Sequence, residues 1–187
     1  SWKHAVVLAK YNPELAKEQI RAMYDFMDYD GFIADCIYRD TTIESHNYRN
    51  TKPPLSGWAI WNVFNNDNDT SFLIEMYPKL MKQHYWWYSF RDYDIDGICE
   101  YGSTDGSLIA AKWESGMDNA VRFDNSELVM SAQNAYSLNQ ESVDLNSYLY
   151  AEKLYLEKIA AVLGNKKSVV KLSNEADVLK YKIQKQF

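Results

Sequence analysis

The run Tyr148-Leu149-Tyr150-Ala151-Glu152-Lys153-Leu154-Tyr155-Leu156-Glu157-Lys158-Ile159-Ala160-Ala161-Val162-Leu163 is apolar over more than one narrow helical stripe, and Gly164-Asn165 stops it. A helix lying on a core from one side needs an apolar stripe of ~100°; a broader one implies neighbours on two sides, as in a layered array of helices. Residues 55–64 have the same breadth. Working outward, apolar spacing of three and four residues recurs over 2–9, 15–27, 72–88 and 176–183, so helices are expected there too. Several ends are legible: Asn12-Pro13-Glu14 opens one helix, Pro53-Pro54 another and Ser173-Asn174-Glu175 the last. The connections 28–52 and 90–112 are longer than ordinary helix joints, and such loops are usually functional or poorly ordered. Short joints alternating with long loops predict an all-α fold of stacked helix hairpins, with the long loops gathered at one end to build a site. A short hairpin is expected around 32–34 and 36–38.

With 187 residues and 47% hydrophobic content, the chain can bury one substantial core and reads as a single domain over 1–187. Its 15 Tyr and 6 Trp suit large helical cores and flat sugar-binding faces alike, so an individual Trp does not decide between them. A net charge of -6, with Lys166-Lys167 as the only basic run, argues against a nucleic-acid partner, because phosphate backbones are held by clustered Lys and Arg. No run of 18 apolar residues is present, so no membrane-spanning helix is expected, and the amino terminus lacks signal-peptide organisation. Cys36 and Cys99 are too few for a disulfide framework and leave the compartment open.

Within the second long loop, Asp92-Tyr93-Asp94-Ile95-Asp96-Gly97-Ile98-Cys99-Glu100 spaces acidic side chains two apart and places Gly at the sixth position, where a chain turns sharply around one hard cation. Asp92, Asp94, Asp96 and Glu100 would give side-chain oxygens and Ile98 its carbonyl. The twelfth position, a bidentate Glu in an EF-hand, is Ser103, so Glu100 must ligate directly. Four carboxylates in nine residues repel one another without a cation, which favours a structural Ca2+ over a solvated acidic loop.

Glu114 and Asp118 in Trp113-Glu114-Ser115-Gly116-Met117-Asp118-Asn119-Ala120-Val121-Arg122-Phe123 form a pair of carboxylates among aromatics, as an acid that cleaves sugars requires. From spacing alone, a catalytic site and a surface arrangement stand level; in the latter Glu114 caps the following helix and Asp118 pairs with Arg122. His4, His46 and His84 form no ligand set, and His84 beside Tyr85-Trp86-Trp87 reads as a satisfied core residue.

The segment Trp113-Glu114-Ser115-Gly116-Met117-Asp118 resembles the signature of the family 63 glycoside hydrolases, which include processing glucosidase I, and is similar to the trehalase motif. Three further segments agree: Trp2-Lys3-His4-Ala5 with Tyr11-Asn12-Pro13; Arg49-Asn50-Thr51-Lys52-Pro53-Pro54-Leu55 with Trp58; and Gln140-Glu141-Ser142-Val143-Asp144. The 92–100 loop with Tyr101-Gly102 resembles a calcium loop of bacterial members. The resemblance implies about half of an (α/α)6 toroid and an inverting, exo-acting α-glucosidase of α-glucosidic oligosaccharides, with Asp118 as general acid. Glu114, Trp113, Trp2, Arg49, Lys52 and Glu141 are then expected to contact sugar. The general base is expected beyond Phe187, in the remainder of the same catalytic domain. Trehalase-like or mannosylglycerate-type hydrolysis remains open, as does a calcium-stabilised carbohydrate-binding or interaction module without catalysis.

Overall fold

A computed structural model describes residues 2–187. Its helices are α1 (Trp2–Leu8), α2 (Pro13–Tyr24), α3 (Ser56–Asp67), α4 (Thr70–Phe90), α5 (Leu108–Glu114), α6 (Val143–Val162) and α7 (Lys166–Gln186). Three strands, β1 (Glu100–Ser103), β2 (Leu128–Ala132) and β3 (Ala135–Glu141), form an antiparallel sheet in the order β1-β3-β2. The expected helix hairpins are present, and a small sheet is added between α4 and α6, with only β1 inside the expected loop 90–112.

Side-chain caps set several boundaries. Asn12 Oδ1 accepts the Leu15 N–H at 3.0 Å and starts α2, with Pro13 at its first position. Asp69 caps α4 through the N–H groups of Ser71 and Phe72. Asn165 caps α7 through Ser168 at 3.1 Å, so α7 begins at Lys166 and the expected start at Ser173-Asn174-Glu175 lies in its interior. Glu175 is held there by Lys153 of α6, an interhelical contact that local sequence signals do not reveal.

Helices α1, α3 and α6 pack side by side as one row, while α2, α4 and α7 pack behind them as a second. Because consecutive helices are joined by hairpins, the short joints 9–12, 68–69 and 163–165 gather at one end and the loops 25–55 and 91–142 at the other. The breadth of apolar surface on α3 and α6 follows from this arrangement: Ala59, Ile60, Val63, Leu156, Ile159 and Ala160 all lie in one core with residues of α1, α2 and α4. A second core joins Trp86 and Trp87 of α4 to Tyr101, Leu138, Leu145 and Leu149, fixing the sheet to the helices. The loop after α2 contains only isolated bridges, Met27 to Ile33 and Cys36 to Asn47, rather than the expected hairpin. Among the described residues no helix is long and apolar enough to cross a membrane.

Candidate active site

At the long-loop end, the start of α1, the segment before α3 and the turn after α5 enclose a cleft of about 380 Å³. Its lining includes Trp2, Lys3, Lys52, Pro53, Ser115, Gly116, Met117 and Tyr148. The turn is built locally. Ser115 Oγ donates to the Lys112 carbonyl at 2.7 Å and accepts the Met117 N–H at 3.0 Å. Gly116 takes a φ of +68°, a left-handed conformation that ends α5 at little steric cost. Asp118 therefore follows Met117 out of the cleft wall, exposed, and no hydrogen bond or ion pair engages its carboxyl among the described residues. The Asp118–Arg122 pair weighed from spacing does not form; Arg122 instead makes a two-pronged contact with Asp144 at 2.9 and 3.0 Å.

Glu114 corrects the sequence expectation most sharply. It is wholly buried, and both carboxylate oxygens are committed. Oε1 accepts from Arg91 Nη2 at 3.0 Å and the Thr51 N–H at 3.1 Å; Oε2 accepts from Arg91 Nε at 2.8 Å and the Gly102 N–H at 2.6 Å. A sugar hydroxyl cannot reach it. Its four bonds tie together the 49–55 segment, the end of α4, β1 and α5, all of which position the cleft. Gly102 is required for this close approach, since a Cβ there would meet the Tyr136 carbonyl at 2.0 Å.

The other expected sugar contacts divide. Trp2 is buried in the cleft wall with an indole N–H that has no partner. Lys52 also lines the cleft and donates to Asp35 Oδ1 at 2.6 Å. Trp113 is 42% exposed, with the Arg49 guanidinium 5.3 Å from its ring centroid. Arg49 is in turn held by Asp105 at 2.8 Å and Ser107 at 3.0 Å, so it braces the indole. Lys3, Met117 and Tyr148 line the cleft as well, although none was among the residues expected to contact sugar. Their positions at the open ends of α1 and α6 and beside Gly116 are the signal that could have added them.

Glu141 lies elsewhere. It pairs across the sheet with Glu100 in the register of β1 and β3, beside the acidic loop, which corrects its assignment to the sugar site. In that loop Ile95 and Gly97 have φ values of +61° and +82° and wrap the chain back on itself. Carboxylate oxygens of Asp92, Asp94 and Asp96 come within 4.8 Å of one another. Asp92 Oδ2 accepts the Gly97 N–H at 2.9 Å, whereas Asp92 Oδ1, Glu100 Oε1 and Glu141 Oε2 are buried without partners. Burial, reinforced by the neighbouring carboxylates, pushes Glu100 up to about 9 and also raises Asp92 and Glu141. Orphaned oxygens on an all-oxygen donor set fit a hard cation. The acidic group Glu14, Asp67 and Asp69 differs, because the Lys17 ammonium already occupies its centre at 2.6 to 2.7 Å from all three.

Residues 1–187 match the family model described as mannosylglycerate hydrolase MGH1-like glycoside hydrolase domain. Among solved structures, the chain resembles the GH63 mannosylglycerate hydrolase from Thermus thermophilus in complex with glucose, with a TM-score of 0.71 and 15% identity over 96% of this chain and 54% of that one. The same enzyme in complex with Tris and D-glycerate gives 0.70 and 14%, covering 96% and 56%. The uncharacterized protein YMR196W of Saccharomyces cerevisiae is 26% identical over 132 residues, which are 66% of this chain and 10% of that protein. The chain thus spans about half the length of these solved structures and a tenth of the yeast relative.

Proposed function

The chain belongs to the mannosylglycerate hydrolase MGH1-like glycoside hydrolase domain family, and on that premise we propose that it forms the acid-bearing half of an inverting, exo-acting α-glycosidase, with Asp118 protonating the departing glycosidic oxygen. The observation that carries this reading is the placement of Asp118: an uncommitted carboxyl on a turn whose preceding residues line the cleft. Trp2, Lys52 and Trp113 border the sugar, and Arg49 braces Trp113. Inversion requires a second carboxyl ~6.5 to 9.5 Å from the first, leaving room for the attacking water. Among the described residues lining the cleft there is no Asp or Glu, and Glu114 is sealed against Arg91. We assign the base to a Glu outside this chain, in the remainder of the catalytic domain.

An α-glucosidic oligosaccharide is the first substrate class. A second class, an α-hexoside of glycerate, is favoured by Lys3, a cationic residue of the cleft lining that suits an anionic aglycone, whereas the Lys52 ammonium beside it is already paired with Asp35. Proton NMR of fresh reaction mixtures of the full-length protein tests the mechanism and the substrate together. The β-anomer of the free sugar is expected first; initial release of the α-anomer would overturn inversion. Lys3→Ala should raise KM for a hexosylglycerate while leaving that for maltose unchanged, if the glycerate reading holds. The second half of the proposal is one structural Ca2+ in the 92–100 loop, held by Asp92, Asp94, Asp96, Glu100 and the Ile98 carbonyl, with Glu141 completing the set. It would neutralise the carboxylates and fix the loop that leads into β1 and α5.

A further inference from the structure

A second cleft, of about 330 Å³, opens between the segment after α2, the C-terminal end of α4 and the β2–β3 turn. A ridge separates it from the Arg49–Trp113 stack. In that ridge the Thr104 N–H donates to the Arg49 carbonyl at 2.8 Å, and Thr104 Oγ1 donates to the Tyr48 carbonyl at 2.6 Å. Arg49 thus serves Trp113 on one side while the adjacent Tyr48 borders the second cleft on the other.

Its walls are fixed from within. Phe90 stacks on Trp86 with centroids 5.7 Å apart and planes at 20°. Asp28 Oδ1 accepts the N–H groups of Asp30, Gly31 and Phe32 at 2.8 to 2.9 Å, setting the loop on one flank. On the other, Ser131 Oγ donates to the Phe90 carbonyl at 2.7 Å and tethers β2 beside the end of α4. The polar ends that border this frame are uncommitted. The Asp30 carboxyl, the Tyr48 hydroxyl and the Gln133 and Asn134 amides have no hydrogen-bond partner among the described residues, and all four residues are exposed.

We propose that this cleft is a second saccharide-binding site that takes a neutral pyranose unit. The rings of half-buried Phe90 and exposed Tyr48, over the buried Trp86 and Phe32, beside unpaired amide, hydroxyl and carboxylate groups match the two faces of a sugar, one of C–H bonds and one of hydroxyls. The described lining contains Asp28 and Asp30 but no Lys or Arg, so it disfavours phosphate, sulfate and glycerate. The choice of a sugar as the polyhydroxylated ligand rests on the glycosidase reading; the cleft itself does not. It would hold a distal part of an oligosaccharide, or a neighbouring chain of a branched one, outside the catalytic cleft.

Titration of the chain with maltotriose, followed by amide NMR shifts, tests the site. Shifts are expected at Gly31, Thr104 and Asn134 in addition to those at Gly116 and Met117. Asp30→Ala with Gln133→Ala, two exposed positions, should weaken the first set at least tenfold and leave the second unchanged. Trp113→Ala should do the reverse. Shifts confined to Gly116 and Met117 would overturn the second site while leaving the catalytic reading intact. Absence of shifts at Gly31, Thr104 and Asn134, or equal shifts with sodium sulfate, would overturn it as well. Hydrolysis by the full-length protein decides the catalytic reading separately.

Discussion

Removing the Glu114 carboxylate would leave the Arg91 guanidinium fully buried without its ion-pair partner, and with it two backbone N–H groups that lose their acceptor. Breaking one side of such a pair costs about 3 to 5 kcal/mol, most of it the burial of an unpaired charge. Glu114→Ala should therefore lower the urea-denaturation stability by about that amount, whereas Glu114→Ala combined with Arg91→Met should recover part of the loss. A change within about 0.5 kcal/mol for the single variant would show that the pair does not hold the loops together. The motif around Glu114 was legible in the sequence, but its role was not. A carboxylate that borders a sugar site and one locked by an arginine 23 positions earlier look the same until the chain folds, because the partner is set by tertiary packing. Arg91 follows the aromatic run Trp86-Trp87-Tyr88-Ser89-Phe90, and only the fold sets it against the Trp86 ring, 4.8 Å from the centroid. His84 was easier to read, since its aromatic neighbours already implied burial.

At the scale of elements, His84 lies at the joint of the two helix rows. Its Nδ1 lies 2.8 Å from Glu152 of α6, and its Nε2 lies 3.0 Å from the Lys153 ammonium. Glu152 also accepts the Ser56 hydroxyl at 3.0 Å and the Gly57 N–H at 3.4 Å, supplying the cap that Leu55 cannot give to α3. Burial holds His84 below its ordinary value of 6.5; the Glu152 bond opposes this shift and the Lys153 charge adds to it. As pH falls through 6.5, the unfolded chain takes up a proton that the folded one refuses, so this contribution is complete above 6.5 and is lost progressively below it. Stability should fall between about pH 7 and pH 5.5 in the native chain and less steeply in His84→Gln, as measured by urea midpoints. Equal slopes would mean that His84 is not held neutral.

The acidic loop makes a complementary prediction. With burial raising Glu100 to about 9, its carboxyl is expected to carry a proton near neutrality, and the proposed Ca2+ would displace it on binding. Calorimetric titration at about pH 7 in buffers of different ionisation heat should report about one proton released, and the melting temperature should rise with Ca2+. Binding without proton release would contradict the buried, orphaned state of Glu100. The loop's spacing was readable because Asp92, Asp94, Asp96 and Glu100 are close together in the chain. The sheet was not: strands of 4, 5 and 7 residues alternate too briefly to stand out, and β1 is buried on every residue. Glu141 consequently went to the wrong site, since its neighbour across the ladder, Glu100, is distant in the chain.

For the molecule as a whole, the two rows of helices and the gathering of long loops at one end followed from hydrophobic breadth and joint length alone. Those signals are repeated across many residues and survive local exceptions. The cleft was less legible, because it is made by the ends of elements, where Lys3, Met117 and Tyr148 meet residues from distant segments. The motifs at 2–5, 49–55 and 113–118 pointed to it, and within the last of them Asp118 alone combines an uncommitted carboxyl with a position beside the cleft. An acid catalyst matters most when the leaving group is poor. In the full-length protein, Asp118→Asn should slow hydrolysis of maltose by about 10² to 10⁴-fold, yet turn over α-glucosyl fluoride, whose leaving group needs no proton, at nearly the native rate. Comparing those two substrates in that single variant is the most direct measurement: a selective loss on maltose is the expected result, and native activity on maltose, or equal loss on both, would contradict the assignment of Asp118 as the general acid.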